Sequence, residues 1–343
     1  MLSKEEQVLY DSYANWMKSK GAKFDKVELK WFHTDYRGIV ATDVILKNEI
    51  IMYIPDAAII SLQVAKQAPI GKKLEMNEGS LIYPNNSTLS SYVLWEMSNP
   101  YSPWTFFLKA LPKSVSSFPV FYTPNELKLL EGSSFVQSVE ELREDMKHDY
   151  KEICRCAPEF KKVASVKDFM RVRVLINSRI FGTVINGEES DAIVPYADMF
   201  NYKHKNKMTS WVYSNDLKGF VVKAREVINK GEEVFVFYGN KANYNFLQFY
   251  GFVLEDNEYD EVILTIDFFE SDPLRSTKES LLEVIKVPMK LRLRHTTTNS
   301  KYYRAISFLR YVTYNGTKEE LRKVNILYNY YIDLSTLCYA TNG

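Results

Sequence analysis

The pattern that most constrains this chain lies between Ile193 and Phe252. It begins Pro195-Tyr196-Ala197-Asp198-Met199-Phe200-Asn201-Tyr202 and, after a polar break, continues into two apolar runs, Gly219 to Val227 and Glu233 to Tyr238. Both runs are rich in Val, Phe and Ile, and Asn229-Lys230-Gly231 joins them, a composition that predicts a β-hairpin. Such a hairpin would deliver Tyr238 to a tight polar turn, ahead of Phe246-Leu247-Gln248-Phe249-Tyr250-Gly251-Phe252.

The flanking chain alternates between strand and helix signals. Leu9, Tyr13, Trp16 and Met17 recur at helical spacing up to Gly21, which predicts an N-terminal docking helix. Strand-like pieces fill Val27 to Pro55, around Asp35-Tyr36-Arg37-Gly38-Ile39-Val40 and Ile50-Ile51-Met52-Tyr53-Ile54. From about 57 to 185 helix signals take over. Thr123 and Glu126 form a capping box with Pro124 at the first helical position, Ser138 with Glu141 opens a second helix, and Ser165 with Asp168 a third. The third carries Phe169, Val172, Ile176 and Ile180 as its buried stripe, with Arg179 at the stripe's edge. After Phe252, alternating Val262, Leu264 and Ile266 predict a strand, and helices are expected over 301–314 and 318–339. The expected class is α+β, built from several small sheets.

Charge and composition narrow the function classes. With 44 basic and 43 acidic side chains in 343 residues, no global field draws the chain to nucleic acid or an anionic membrane. Apolar residues at 46% and charged ones at 25% describe an ordinary globular protein. No apolar run approaches the roughly 18 residues of a membrane span, and the N-terminus lacks an apolar signal core, so an intracellular, cytoplasmic or nuclear protein is expected. Cys154, Cys156 and Cys338 make no disulfide framework, and no further Cys or His stands near Cys154-Arg155-Cys156, so no metal site is expected. His33, His148, His204 and His295 are scattered, and nucleophile-elbow, zinc-protease and phosphate-loop motifs are missing.

Pro-x-Ala-Asp-Met-x-Asn, Gly-Glu-Glu-Val-x-x-x-Tyr-Gly and Asn-x-x-Phe-Leu-x-x-Tyr-Gly-Phe, in that order, resemble the SET-domain protein methyltransferases. The likeness is to the branch with an interrupted SET domain, which includes the Rubisco large-subunit lysine methyltransferase and the actin-histidine methyltransferase. It implies a SET fold of small sheets with a large helical insertion and a helical C-terminal domain. The expected partition is a docking helix at 1–26, SET parts at 27–110 and 186–253, an insertion at 111–185, and a short substrate-binding-like domain at 254–343. The implied cofactor is S-adenosylmethionine and the implied partner a protein substrate, with the chain a monomer. Protein-lysine N-methylation is the expected activity. Histidine methylation and a non-catalytic SET-type protein-binding module are the alternatives.

The resemblance also assigns residues. Tyr238 matches the catalytic tyrosine. Asp35, Tyr36, Arg37 and Gly38 match the stretch along the methionine part of the cofactor, with Gly38 allowing close backbone approach; a surface β-turn is the other reading of these four. Arg179 would meet the cofactor carboxylate, and Asn201 and Tyr202 complete the cofactor side. Tyr202 stands where the family usually has His. Phe181, Asp198, Tyr250 and Phe252 would line the substrate channel. An apolar Phe181 suits an aliphatic lysine stem better than an imidazole, which requires a polar partner.

Overall fold

A computed structural model describes residues 3–33, 36–203, 208–265, 267–284, 290–294 and 308–321. The chain divides into two compact units, Met1–Glu255 and Asp256–Gly343.

In the first unit the N-terminal helix α1 (Lys4–Ser19) opens with a reciprocal capping box between Ser3 and Glu6 and buries Tyr13 and Met17. Gly21, at φ +93°, ends it as expected. Strands β1 (Val27–His33), β2 (Tyr36–Ala41) and β3 (Ile50–Pro55) follow. A two-residue strand, β4 (Ile60–Ser61), precedes α2 (Leu62–Gln67), α3 (Pro69–Glu75), α4 (Pro84–Ser98) and α5 (Thr105–Ala110). Then come α6 (Pro124–Lys128), α7 (Ser134–Cys156), α8 (Phe160–Val163) and α9 (Val166–Asn177). Among these described helices none is long and apolar enough to cross a membrane.

The capping boxes at Thr123 and Ser165 form as the sequence predicts. Ser138 does not start a helix: Ser133, directly after Gly132 at φ +87°, caps α7, and the Ser138 hydroxyl donates to the Ser134 carbonyl inside it. Helix α7 is tied to its neighbours by a buried pair. The Asp149 carboxylate accepts from the Ile82 and Tyr83 amides, the Ser87 hydroxyl and Arg173 on α9, so the buried charges are fully surrounded by donors. That junction holds the end of α9, and with it Arg179, in place.

The expected helical stripe stops short of Ile180. Helix α9 ends at Asn177, and Ile180 begins β5 (Ile180–Ile185), which pairs with β6 (Glu188–Ile193). The β-branched residues Ile180, Thr183, Val184 and Ile185 favour a strand over a further helical turn. Arg179 therefore sits in the turn between helix and strand.

The remaining strands are β7 (Asn201–Tyr202), β8 (Thr209–Ser214), β9 (Gly219–Ala224) and β10 (Glu233–Val236). They build three small sheets, ordered β1-β2-β10-β7, β3-β9-β8 and β4-β6-β5. The expected hairpin between 219–227 and 233–238 does not form, because β9 and β10 lie in different sheets. Both edges of β9 are taken, by β3 and β8, and both edges of β10 by β2 and, in parallel, β7. The connection turns a corner instead: Ile228 exchanges backbone hydrogen bonds with Ile45, and the Gly231 amide donates to the Ala41 carbonyl. Helix α10 (Asn243–Tyr250) follows, closed by Gly251 at φ +76°.

The second unit holds an antiparallel pair, β11 (Glu261–Thr265) with β12 (Lys290–Arg294), and helix α11 (Arg275–Val284). Strand β11 was expected; β12 and α11 were not. Phe268, Leu274, Leu282, Phe308, Tyr311, Val312 and Leu321 form its core. Thr317 and Glu320 cap each other where the helix over 318–339 is expected to begin. The rest of the helix expected over 318–339, from residue 322 on, lies outside the described residues.

Candidate active site

Three elements aim side chains at one point. Strand β10 ends at Val236, and two residues later Tyr238 enters a turn whose Gly239, at φ +94°, adopts a conformation that side-chain-bearing residues avoid. The turn after α9 brings Arg179. A short 3-10 turn, Ala197–Met199, brings Asp198. That last turn is entered through Tyr196 at φ +73°, a strained angle for an aromatic residue. The Tyr196 amide donates to the Tyr13 hydroxyl of α1 at 2.6 Å, and its ring stacks on Phe24 at 4.2 Å, so α1 and the loop that follows it jointly hold the strained residue.

Between these elements lies a cavity of about 640 Å³. Six of its sixteen lining residues are aromatic. Phe181 meets Trp211 edge-on at 5.2 Å, and Tyr250 stacks on Tyr238 at 5.2 Å with an interplanar angle of 23°. The Tyr238 hydroxyl donates to the Phe200 carbonyl at 2.7 Å. Burial pushes the Tyr238 phenol well above its usual range; the Arg179 charge opposes the rise, and Tyr250, Asp198 and Tyr36 add to it. Burial likewise pushes Tyr250 up to about 12. Both phenols are therefore neutral donors and acceptors at physiological pH.

Arg179 and Asp198 form the charged part of the wall. Nη1 of Arg179 donates to Asp198 Oδ2 at 2.9 Å and to the Asp198 carbonyl at 3.1 Å, with the carboxylate fully buried. The pair is incomplete. Among the described residues four buried side-chain polar atoms lack a partner, and two of them are Arg179 Nε and Asp198 Oδ1. A buried donor and a buried acceptor left unmatched on neighbouring side chains call for a ligand that offers both complements. An α-amino-acid group, with its carboxylate and ammonium, does so, and the residues present therefore fit the methionine moiety of S-adenosylmethionine.

Beside the cavity, β2, β7 and β10 meet at Gly38. The Asn201 carboxamide nitrogen donates to the Arg37 carbonyl and, at 2.8 Å, to the Glu233 carboxylate, whose two oxygens also accept from the Tyr36 hydroxyl. A Cβ at position 38 would collide with the Glu233 carboxylate and the Asn201 amide. Burial, followed by the bond to Glu233, pushes Tyr36 up to about 12.

Of the sequence-predicted residues, Arg179, Phe181, Asp198, Tyr238 and Tyr250 share the cavity wall. Tyr36, Gly38 and Asn201 gather in the adjoining corner, and Tyr36 to Gly38 run inside β2 rather than in a surface turn. Arg37 contributes only its carbonyl there. Its guanidinium turns away, to the Tyr10 hydroxyl at 2.7 Å and the Ala110 carbonyl, and lies over the rings of Tyr10 and Trp31. Tyr202 and Phe252 stand behind the wall, in an aromatic cluster with Phe246. Asp35 lies outside the described residues.

Sequence reasoning missed Trp211, Arg225 and Lys241 on the wall and Glu233 in the corner. Glu233 alone left a signal, its place in the quoted Gly-Glu-Glu-Val motif, where it opens the otherwise apolar run Val234-Phe235-Val236.

Comparison with known proteins agrees with this geometry. The family model described as the SET domain matches residues 36–239. Among curated proteins, the actin-histidine N-methyltransferase of Danio rerio is 25% identical over 325 residues, covering 90% of this chain and 52% of that protein. The Xenopus tropicalis protein of the same name is 24% identical, covering 80% and 48%. The chain thus spans about half the length of the curated relatives it matches. Among solved structures, Rubisco LSMT bound to AdoMet superposes with a TM-score of 0.75 at 20% identity, over 97% of this chain and 75% of that one. The SET domain of LSMT bound to lysine and AdoHcy gives 0.73 at 20%, over 88% and 71%. At that identity the structural likeness speaks for the fold, while the family model takes in well over half the chain from β2 to the turn after Tyr238: the chain belongs to the SET-domain family.

Proposed function

We propose that the chain is a protein methyltransferase that uses S-adenosylmethionine and methylates a lysine side chain of a protein. The observation that carries this reading is the unmatched pair of atoms on Arg179 and Asp198 in the cavity walled by Tyr238. Arg179, through Nε, and Asp198, through Oδ1, would hold the amino-acid group of the cofactor, with Asn201 beside them. When bound, S-adenosylmethionine supplies an electrophilic methyl group and a positive charge that, about 4 Å from a lysine ammonium at an effective dielectric near 20, lowers the amine by roughly three pKa units.

The chain's own residues extend that effect. The rings of Phe181, Trp211 and Tyr250 exclude water from the channel, and desolvation disfavours the ammonium further. Tyr238 commits its proton to the Phe200 carbonyl, so its oxygen lone pairs are left to accept an N–H of the entering amine and orient it. Its raised pKa keeps it neutral, and it works by positioning rather than as a base.

For the acceptor, Phe181 favours lysine. The hydroxyls of Ser178 and Thr209 on the same wall already donate to the Leu175 and Phe235 carbonyls, so a bound imidazole would find few free partners there. The curated relatives' name favours the second reading, histidine. Arg225 and Lys241 give the wall two further cations, which suits acidic residues flanking the acceptor. The test is transfer of labelled methyl from S-adenosylmethionine into proteins of a cell extract, followed by mass spectrometry of the modified residue. Label on lysine, lost with Tyr238→Phe, is the expected result; label on histidine selects the second reading, and no label with either protein removes both.

A further inference from the structure

We infer that Glu233 is a positioning residue that fixes which way the Asn201 carboxamide faces, and so presents Asn201 Oδ1 to the α-ammonium group of the bound cofactor. The inference rests on the methyltransferase reading above and gives a role to a residue that stands in the Gly-Glu-Glu-Val motif but received none from the resemblance.

A carboxamide has a donor end and an acceptor end of nearly equal size, so its neighbours decide its orientation. Around the Asn201 nitrogen stand the Arg37 carbonyl and the Glu233 carboxylate, and both are acceptors only. A charge-assisted bond is roughly twice as strong as a neutral one, so the carboxylate dominates the choice. Glu233 is itself held. The Tyr36 hydroxyl donates to both its oxygens, at 2.9 Å each, and the missing Cβ of Gly38 leaves the space through which it reaches Asn201. With its nitrogen so engaged, Asn201 turns Oδ1 outward, and among the described residues nothing donates to it. Asn201 directly follows Phe200, whose carbonyl takes the Tyr238 hydroxyl, so the corner adjoins the cavity. An oxygen acceptor close to a carboxylate favours a cationic donor over a neutral one. Of the cofactor's groups, the α-ammonium is the cation that also donates hydrogen bonds.

The role is separable from packing. In Glu233→Gln the shape is kept, but the new amide can donate to Asn201 Oδ1, which allows the carboxamide to flip and removes the negative charge. Calorimetric titration with S-adenosylhomocysteine and with its desamino analogue reads the difference. The wild-type chain is expected to prefer the amine-bearing ligand by about tenfold or more, the range of one charge-assisted hydrogen bond. E233Q should lose most of that preference while binding the desamino analogue as before. In turnover it should raise KM for S-adenosylmethionine with kcat at saturation little changed. If E233Q does not fold, Glu233→Asp, which withdraws the carboxylate by one methylene, carries the same expectation. The inference is overturned if E233Q retains the wild-type preference, if it weakens both ligands equally, or if the wild type shows none. Failure of the wild type to bind either ligand would instead remove the methyltransferase reading on which it rests.

Discussion

Arg179 gives Nη1 to Asp198 while its buried Nε–H has no partner among the described residues, and this asymmetry yields a prediction at the level of one side chain. Lysine at position 179 would retain a charge for the buried Asp198 carboxylate but has no second donor in a fixed plane. Arg179→Lys is therefore expected to fold, to bind S-adenosylmethionine about tenfold more weakly, and to bind methylthioadenosine, which lacks the amino-acid tail, unchanged; calorimetry reads all three. Equal loss for both ligands would mean that Arg179 does not meet the tail. Tyr238 should behave differently, because in the proposed reaction its hydroxyl acts on the entering amine. Tyr238→Phe is expected to lower kcat about a hundredfold with the affinity for S-adenosylmethionine nearly unchanged, the signature of an interaction that matters mostly in the transition state. A parallel loss of affinity would place the hydroxyl on the cofactor instead.

At the scale of elements, the Asp198 turn depends on a helix more than 170 residues away in sequence. The Tyr13 hydroxyl on α1 accepts the amide of the strained Tyr196, in a buried setting. Tyr13→Phe leaves that amide without a partner, at a cost of about 1–3 kcal/mol. Spread over a unit of this size, the thermal midpoint should fall by a few degrees, and affinity for S-adenosylmethionine should drop with it as the Asp198 turn loosens. A fall in stability without a change in affinity would show that α1 supports the fold but not the site. Such coupling was not legible in the sequence, which marked α1 as a docking helix without saying what it docks on. What the sequence revealed was local chemistry: the capping boxes at Thr123 and Ser165, the strand character of 27–55, and motif residues that do gather around one cavity. It failed where pairing is decided at long range. The runs 219–227 and 233–238 have the composition of a hairpin, yet each finds better edges elsewhere, β9 between β3 and β8 and β10 between β2 and β7. Arg37 misled for a related reason. Its motif position is on the cofactor side, but its side chain is captured by Tyr10 and Trp31, an aromatic partnership that only the folded chain assembles.

At the scale of the whole molecule, the chain's tyrosines give a testable pH dependence. Burial raises the phenols of Tyr13 and Tyr238 far above their ordinary value and pushes Tyr36, Tyr196 and Tyr250 up to about 12. A phenol whose folded pKa exceeds its unfolded value of about 10 holds its proton more tightly in the folded state. Its contribution to stability is then fully present below pH 10 and is lost as pH rises from about 10 towards 12. Lys241 acts in the opposite sense, since burial lowers its pKa and the folded state releases that proton earlier. One lysine against five phenols leaves the phenols dominant. The thermal midpoint is therefore expected to hold nearly constant from pH 7 to pH 9 and to fall steeply beyond about pH 10. In the folded protein, absorbance at about 295 nm should show a subset of tyrosines ionising only as the structure is lost. If every phenol titrated near pH 10 with the fold intact, the buried aromatic wall around Tyr238 would be open to water, and the desolvation that the proposed reaction needs would be missing with it.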